Sequence, residues 1–124
     1  MDIEQLREFA LSMAGATEDQ AFGDDILNFR VGGKIFLCLW LGAYGPNMPS
    51  AHEPRFAIKL SPERNLELRA QYQAVVPAYH WNKKYWSDIY YASGINDELV
   101  RSWIEESYLL VVSKLPKAVR LSII

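Results

Sequence analysis

The eight residues Tyr79-His80-Trp81-Asn82-Lys83-Lys84-Tyr85-Trp86 gather four aromatic rings, an imidazole, a carboxamide and two ammonium groups. Rings stack on flat ligands and ammonium groups pair with phosphates. Such a set therefore suits a nucleic-acid base or a phosphorylated small molecule. It suits equally a hairpin whose rings cover a core while Lys83 and Lys84 solvate the turn. Trp86 reads as a core or sheet-face residue. Tyr79, His80, Asn82, Lys83 and Lys84 are the candidates for touching a partner. Arg30 and Lys34, either side of Gly32-Gly33, add two further cations on a second turn.

Other chemistry is poorly served. Metal binding needs several imidazole, thiolate or carboxylate ligands close together. His52 and His80 are the only histidines, and neither has a His or Cys three or four residues on. Cys38 lies in the apolar run Phe36-Leu37-Cys38-Leu39-Trp40, where a buried thiol is expected rather than a nucleophile. Gly32-Gly33 lacks the lysine and following helix of a phosphate loop. Glu105 and Glu106 are neighbours that face different ways on a helix, so they read as solvated surface. The sequence thus offers no catalytic constellation, cofactor or metal site, and the expectation is a protein that is not an enzyme.

Charge narrows the partners. The chain has 124 residues, with 13 basic and 15 acidic side chains and a pI near 5.7. Binding nucleic acid by bulk charge alone is excluded. The distribution is uneven, however. Residues 1–25 carry seven acids against one base, a net −6, and residues 26–95 carry eight bases against four acids, a net +4. A basic face is therefore available if Arg30, Lys34, Arg55, Lys59, Lys83 and Lys84 converge. A single cysteine rules out an internal disulfide. The amino terminus has neither a basic leader nor a long apolar run, so no membrane association is expected and a cytoplasmic setting is the default.

These residues need elements to position them. Ile3, Leu6, Phe9, Ala10 and Met13 recur at helical spacing, which predicts a helix from Ile3 to Ala14, capped by Asp2 with Gln5 reaching back. Ala16 to Asp25 reads as a polar connector. Ile26–Val31 and Lys34–Leu41 read as strands joined at Gly32-Gly33, a two-residue hairpin turn. Leu27, Phe29 and Val31 would point inward, with Asn28 and Arg30 solvated. Gly42 to Pro54 holds too many glycines and prolines for a regular element and reads as a loop. A third strand is expected at Arg55–Leu60, with Phe56 and Ile58 on one face and Arg55, Ala57 and Lys59 on the other. Ser61-Pro62-Glu63 starts a helix to about Tyr72. Strands are expected at Val75–Tyr79 and Tyr85–Tyr91, with His80 to Lys84 as the turn. A last helix runs from Asp97 to Leu115 and stops at Pro116. The whole of residues 1–124 reads as one α+β domain in which helices pack on an antiparallel sheet.

The chain also resembles the MmcQ/YjbR family of small bacterial proteins. The matching pieces are the Gly15, Thr17, Glu18 turn after the first helix; Phe22-Gly23 before the hairpin Phe29-Arg30-Val31-Gly32-Gly33-Lys34-Ile35-Phe36; the stretch Tyr79–Trp86, which fits an aromatic-His-x-Asn-Lys-x-x-Trp pattern; and Ser107–Lys117. The resemblance implies a two-layer α-β(3)-α-β(2)-α fold, CyaY-like and similar to secretion chaperones. It also implies DNA binding through two wing hairpins, here around Gly32-Gly33 and Asn82-Lys83, with no reaction assigned. The segment Gly42 to Pro54 is longer than the family's usual connector. Three functions follow as expectations. The first is DNA binding through Arg30, Lys34, Tyr79, His80, Asn82, Lys83 and Lys84. The second is a chaperone-like or regulatory module whose partner is another protein. The third is a small-molecule binder using the Tyr79, His80 and Asn82 surface.

Overall fold

The computed structural model describes residues 1–41, 54–91 and 94–123. Helix α1 (Ile3–Leu11) starts at the expected capping box. The Asp2 carboxylate accepts the Gln5 N–H at 2.8 Å, and the Gln5 side chain accepts the Asp2 N–H at 2.9 Å. It closes at Ser12, earlier than Ala14, and Gly15 turns the chain with φ +72°.

Six strands follow in one antiparallel sheet: β1 (Thr17–Asp19), β2 (Ile26–Val31), β3 (Lys34–Trp40), β4 (Arg55–Lys59), β5 (Val75–Pro77) and β6 (Trp86–Tyr90). Their spatial order is β1-β2-β3-β4-β6-β5. Helix α2 (Pro62–Gln71) joins β4 to β5, and α3 (Asp97–Ser113) and α4 (Lys117–Ile123) complete the fold. The two-layer α+β architecture is as expected. Two elements were not. Strand β1 occupies part of the stretch read as a connector, and α4 follows the proline read as the end of the last helix. The expected Gly42 to Pro54 loop lies outside the described residues apart from Pro54, as does His52.

One face of the sheet carries the core. Leu27, Phe29, Val31, Leu37, Leu39, Phe56, Ile58 and Ile89 meet Leu6 and Ala10 of α1 and Val100, Trp103, Ile104 and Tyr108 of α3. The alternation of β2 and β4 is the predicted one. Strand β3 breaks it. Phe29 pairs with Leu37 but Arg30 pairs with Ile35, so Phe36 is an extra residue in a β-bulge. Phe36 and Leu37 both face the helices as a result, while Ile35 and Cys38 face the other way. The continuous apolar run in this strand has that cause.

The bulge leaves backbone groups to satisfy. β3–β4 pairing begins at Leu37↔Ile58, so Lys59 has no partner on β3. The buried Ser107 hydroxyl of α3 fills the gap. It donates to the Phe36 carbonyl at 2.7 Å and accepts the Lys59 N–H at 2.9 Å. This fastens α3 to the sheet close to the β2–β3 turn. Within the described residues no helix is long and apolar enough to cross a membrane.

Candidate functional site

The topology brings both candidate turns to one end of the sheet. Antiparallel pairing places the Gly32-Gly33 turn, the C-terminal end of β4 and the N-terminal end of β6 together. The turn before β6 is the aromatic-basic stretch. By strand order the two turns lie about three strand spacings apart, roughly 14 Å.

On the face away from the core, Arg30, Ile35, Lys59 and Trp86 form a row across β2, β3, β4 and β6. Ile35 and Trp86 pack with Cys38, Trp40, Ala57 and Trp81 in a second, smaller cluster. The C-terminal end of α3 closes over this sheet end. A depression of about 440 Å³ results, bordered by Arg30, Lys34, Lys59, Trp86 and Lys114. A second, of about 270 Å³, lies against it and is bordered by Lys59, Lys114, Ser61 and Tyr85. Lys59 and Lys114 are common to both.

The charge here is largely uncompensated. Arg30 donates to Asp19 at 2.6 Å, and this hydrogen bond first, with the Ala21 N–H, holds the Asp19 carboxyl below the usual range. None of Lys34, Lys59, Lys83, Lys84 and Lys114 has a carboxylate partner among the described residues. Lys83 reaches only the Tyr79 carbonyl, at 3.5 Å, and the Lys84 ammonium lies 5.6 Å from the centre of the Tyr85 ring. The nearby acid on α2 is Glu63, exposed in its first turn.

The aromatic turn is held from behind by α2. Arg69 donates to the carbonyls of Lys83 (2.6 Å) and Trp86 (2.8 Å) and to Ser87 Oγ (3.1 Å). Buried Asn65 donates to the Lys84 carbonyl at 3.0 Å and accepts from Ser87 Oγ at 2.6 Å. Asn82 closes the turn, its side-chain oxygen accepting the Lys84 N–H at 2.9 Å. Every backbone tie points inward, so the Lys83 and Lys84 side chains stay exposed.

The remaining candidates divide. Tyr79 and His80 fold back over the sheet, away from the two depressions. His80 stacks on Trp40 with centroids 6.0 Å apart, and Arg55 lies between the rings of Trp40 (4.8 Å) and Tyr79 (5.7 Å). Arg55, expected on a solvated face, is buried in an ion pair with Asp88 at 3.1 Å. Burial pushes the Asp88 carboxyl up, against the pull of the Tyr79 N–H and Arg55. Asn28, also expected to be solvated, is buried and accepts a hydrogen bond from Cys38 Sγ at 3.1 Å. Tyr79, His80 and Trp81 lie over this face beside them; Phe22 meets Trp81 edge-on at 5.9 Å and Trp81 stacks on Trp86 at 5.0 Å. Cys38 is buried and its thiol is pushed up to about 12, mainly by burial.

The geometry therefore unites Arg30, Lys34, Asn82, Lys83 and Lys84 at one sheet end and separates Tyr79 and His80 from them. It adds Lys114 and Tyr85, which sequence reasoning did not place in the site. Lys114 stood out only as a helix-end cation, and nothing in its spacing tied it to the hairpin 80 residues earlier.

A family model described as YjbR matches residues 11–110, a span that takes in all six strands. The Uncharacterized protein YbdF of Escherichia coli O157:H7 is 30% identical over 114 residues, covering 92% of this chain and 87% of that protein. The Uncharacterized protein YjbR of Escherichia coli strain K12 is 33% identical over 69 residues, 56% of this chain and 58% of that protein. Among solved structures, protein DR2400 of Deinococcus radiodurans, with its DUF419 domain, has a TM-score of 0.83 at 28% identity. The match covers 98% of this chain and 86% of that one.

Proposed function

The chain belongs to the YjbR family, and from that footing we propose that it binds nucleic acid, DNA first, at the two-turn end of its sheet. The observation that carries the reading is the gathering of Arg30, Lys34, Lys59 and Lys114 around one depression, with Lys83 and Lys84 on the adjoining turn. Five of these six cations have no carboxylate partner among the described residues. Phosphates are the ligands such a set recognises: each neutralised phosphate releases counterions, which supplies affinity without any match to base sequence. Among the described residues, the large hydrophobic side chains left exposed are Tyr79 and Tyr85 of the aromatic stretch and Phe22, Leu66, Leu109 and Leu121, the last four distributed over a connector and three helices. That scatter favours a charged ligand over a docked protein.

The test is fluorescence anisotropy with labelled DNA at about 50 and 200 mM salt. Four neutralised phosphates predict a loss of roughly a hundredfold in affinity across that range. Lys34→Gln and Lys114→Gln should each weaken binding and flatten the salt dependence by about one unit of slope. Flat binding curves at micromolar protein and low salt would end the proposal.

A further inference from the structure

We infer that the ligand of this sheet end is an unpaired strand, held as two successive nucleotides in the double depression. The inference rests on the nucleic-acid reading above and narrows it. The two depressions meet at Lys59 and Lys114, which are walls of both. Beyond that shared pair, Trp86 lines one depression and Tyr85 the other. Each depression thus has an aromatic residue of its own, and the two share a pair of lysines. A dinucleotide step has the matching set: two bases and the phosphate between them.

Both rings are braced. Trp86 stacks on Trp81 with centroids 5.0 Å apart, and Tyr85 carries the Lys84 ammonium 5.6 Å from its centre. Their carbonyls are held, that of Trp86 by Arg69 and that of Tyr85 by the Leu60 N–H. Rings held in this way are rigid platforms for stacking. A duplex presents its phosphates to such a surface, but its base faces are already stacked inside the helix and cannot reach a ring. An unpaired strand offers both. The combined space, about 440 Å³ and 270 Å³, is within the range of small-molecule sites and suits two nucleotides rather than a long tract.

The experiment compares four ligands on the full chain: an unpaired deoxy strand of about eight nucleotides, the ribo strand of the same sequence, the deoxy duplex, and inorganic polyphosphate. The expected result is that one or both unpaired strands bind at least tenfold tighter than the duplex and the polyphosphate. Tyr85→Leu, at an exposed position, should remove most of that preference, lowering affinity for the unpaired strands by more than it lowers affinity for the duplex. Lys114→Gln should weaken all four ligands. Equal or tighter duplex binding would overturn the inference and leave the nucleic-acid reading standing. Polyphosphate as tight as the unpaired strands would overturn the stacking role. No binding of any nucleic acid would overturn both readings together.

Discussion

At Gly32 two constraints coincide. Its φ is +57°, a region where a Cβ is strained, and a Cβ built there would lie 2.7 Å from Leu115 Cδ1 and 3.0 Å from Cδ2. Its neighbour Gly33 has φ +80° but open space around it. Gly33→Ala should therefore cost only the backbone penalty, about 1 kcal/mol, while Gly32→Ala should cost about 2 kcal/mol because the buried Leu115 side chain must also shift. Urea denaturation of the pair decides this; equal losses would mean that Leu115 moves aside freely. Cys38 gives a second test. Its thiol is pushed up to about 12, so the folded state favours the protonated form. That contribution is full below the unfolded value of about 8.5 and is lost as pH rises toward the folded one. At pH 8 the thiol should react with a disulfide reagent only as fast as the fold opens, and urea should raise the rate sharply. Rapid labelling of the native protein would show an accessible thiol instead. The residue types at both positions were legible in the sequence: two glycines at a hairpin turn and a cysteine in an apolar run. What was not legible was burial of polar groups. Arg55 and Asn28 sit at alternating positions that read as solvated, but both are buried by long-range contacts, Arg55 against Trp40, Tyr79 and Asp88 and Asn28 against Cys38 and Asp19.

Among the elements, β3 and α3 pack through apolar side chains and are also tied by one hydroxyl. Ser107 Oγ satisfies the Phe36 carbonyl and the Lys59 N–H, both displaced from sheet pairing by the bulge. Ser107→Ala would orphan one buried and one half-buried backbone group at once and should cost about 2–3 kcal/mol, more than one ordinary hydrogen bond. Hydrogen exchange should localise the loss to the Lys59 amide; a global change of only a few tenths would show that the groups find other partners. Strand β1 is held differently. Glu18 accepts a short hydrogen bond from Arg7, and Asp19 accepts from Arg30 at 2.6 Å. These bonds depress both carboxyl values. A depressed folded value gives stability that is present above the unfolded value, about 4, and lost as pH falls through the folded one. Below about pH 4 the β1 amides should therefore exchange ahead of those in β2 and β3, and retention of β1 protection at pH 3 would contradict this. The same features explain why β1 escaped sequence reasoning. Thr17-Glu18-Asp19 is three residues long and polar, and it is a strand because of ion pairs to α1 and β2, not because of propensity. Helix α4 escaped because Pro116 was read as a stop. The Pro116 carbonyl in fact accepts the Arg120 N–H, so the proline also opens the next helix.

Over the whole molecule the formal charge of −2 conceals a polarity. Helix α3 runs 17 residues, about 25 Å, from Asp97 and Glu98 at one end of the sheet to Lys114 at the other. The N-terminus of α1 lies at the acidic end, where the Met1 ammonium binds Asp97 at 2.9 Å and Glu4 lies beside Pro54 and Tyr91. Asp24 and Asp25 precede β2 at this same end, since Ile26 pairs with Trp40. Asp2, Glu4, Asp24 and Asp25 are thus gathered far from Lys34, Lys59 and Lys114, while Asp19 alone of the leading acids reaches Arg30 at the basic end. The uneven charge was visible in the sequence, but its meaning depended on antiparallel pairing that puts residues 33, 59, 86 and 114 together. Net charge is then a poor guide to binding, because screening decides which charges the ligand feels. The Debye length is about 8 Å at physiological salt and about 30 Å at 0.01 M. Neutralising the acidic end with Glu4→Gln and Asp24→Asn should therefore strengthen oligonucleotide binding a few-fold at 0.01 M and leave it unchanged at physiological salt. Lys34→Gln should weaken binding at both, since its charge meets the phosphate directly. Anisotropy titrations at the two salt concentrations measure the difference. A gain from the acidic-end variant that persists at physiological salt would place those carboxylates against the bound strand, and the polarity would then not be what permits an acidic chain to hold a polyanion.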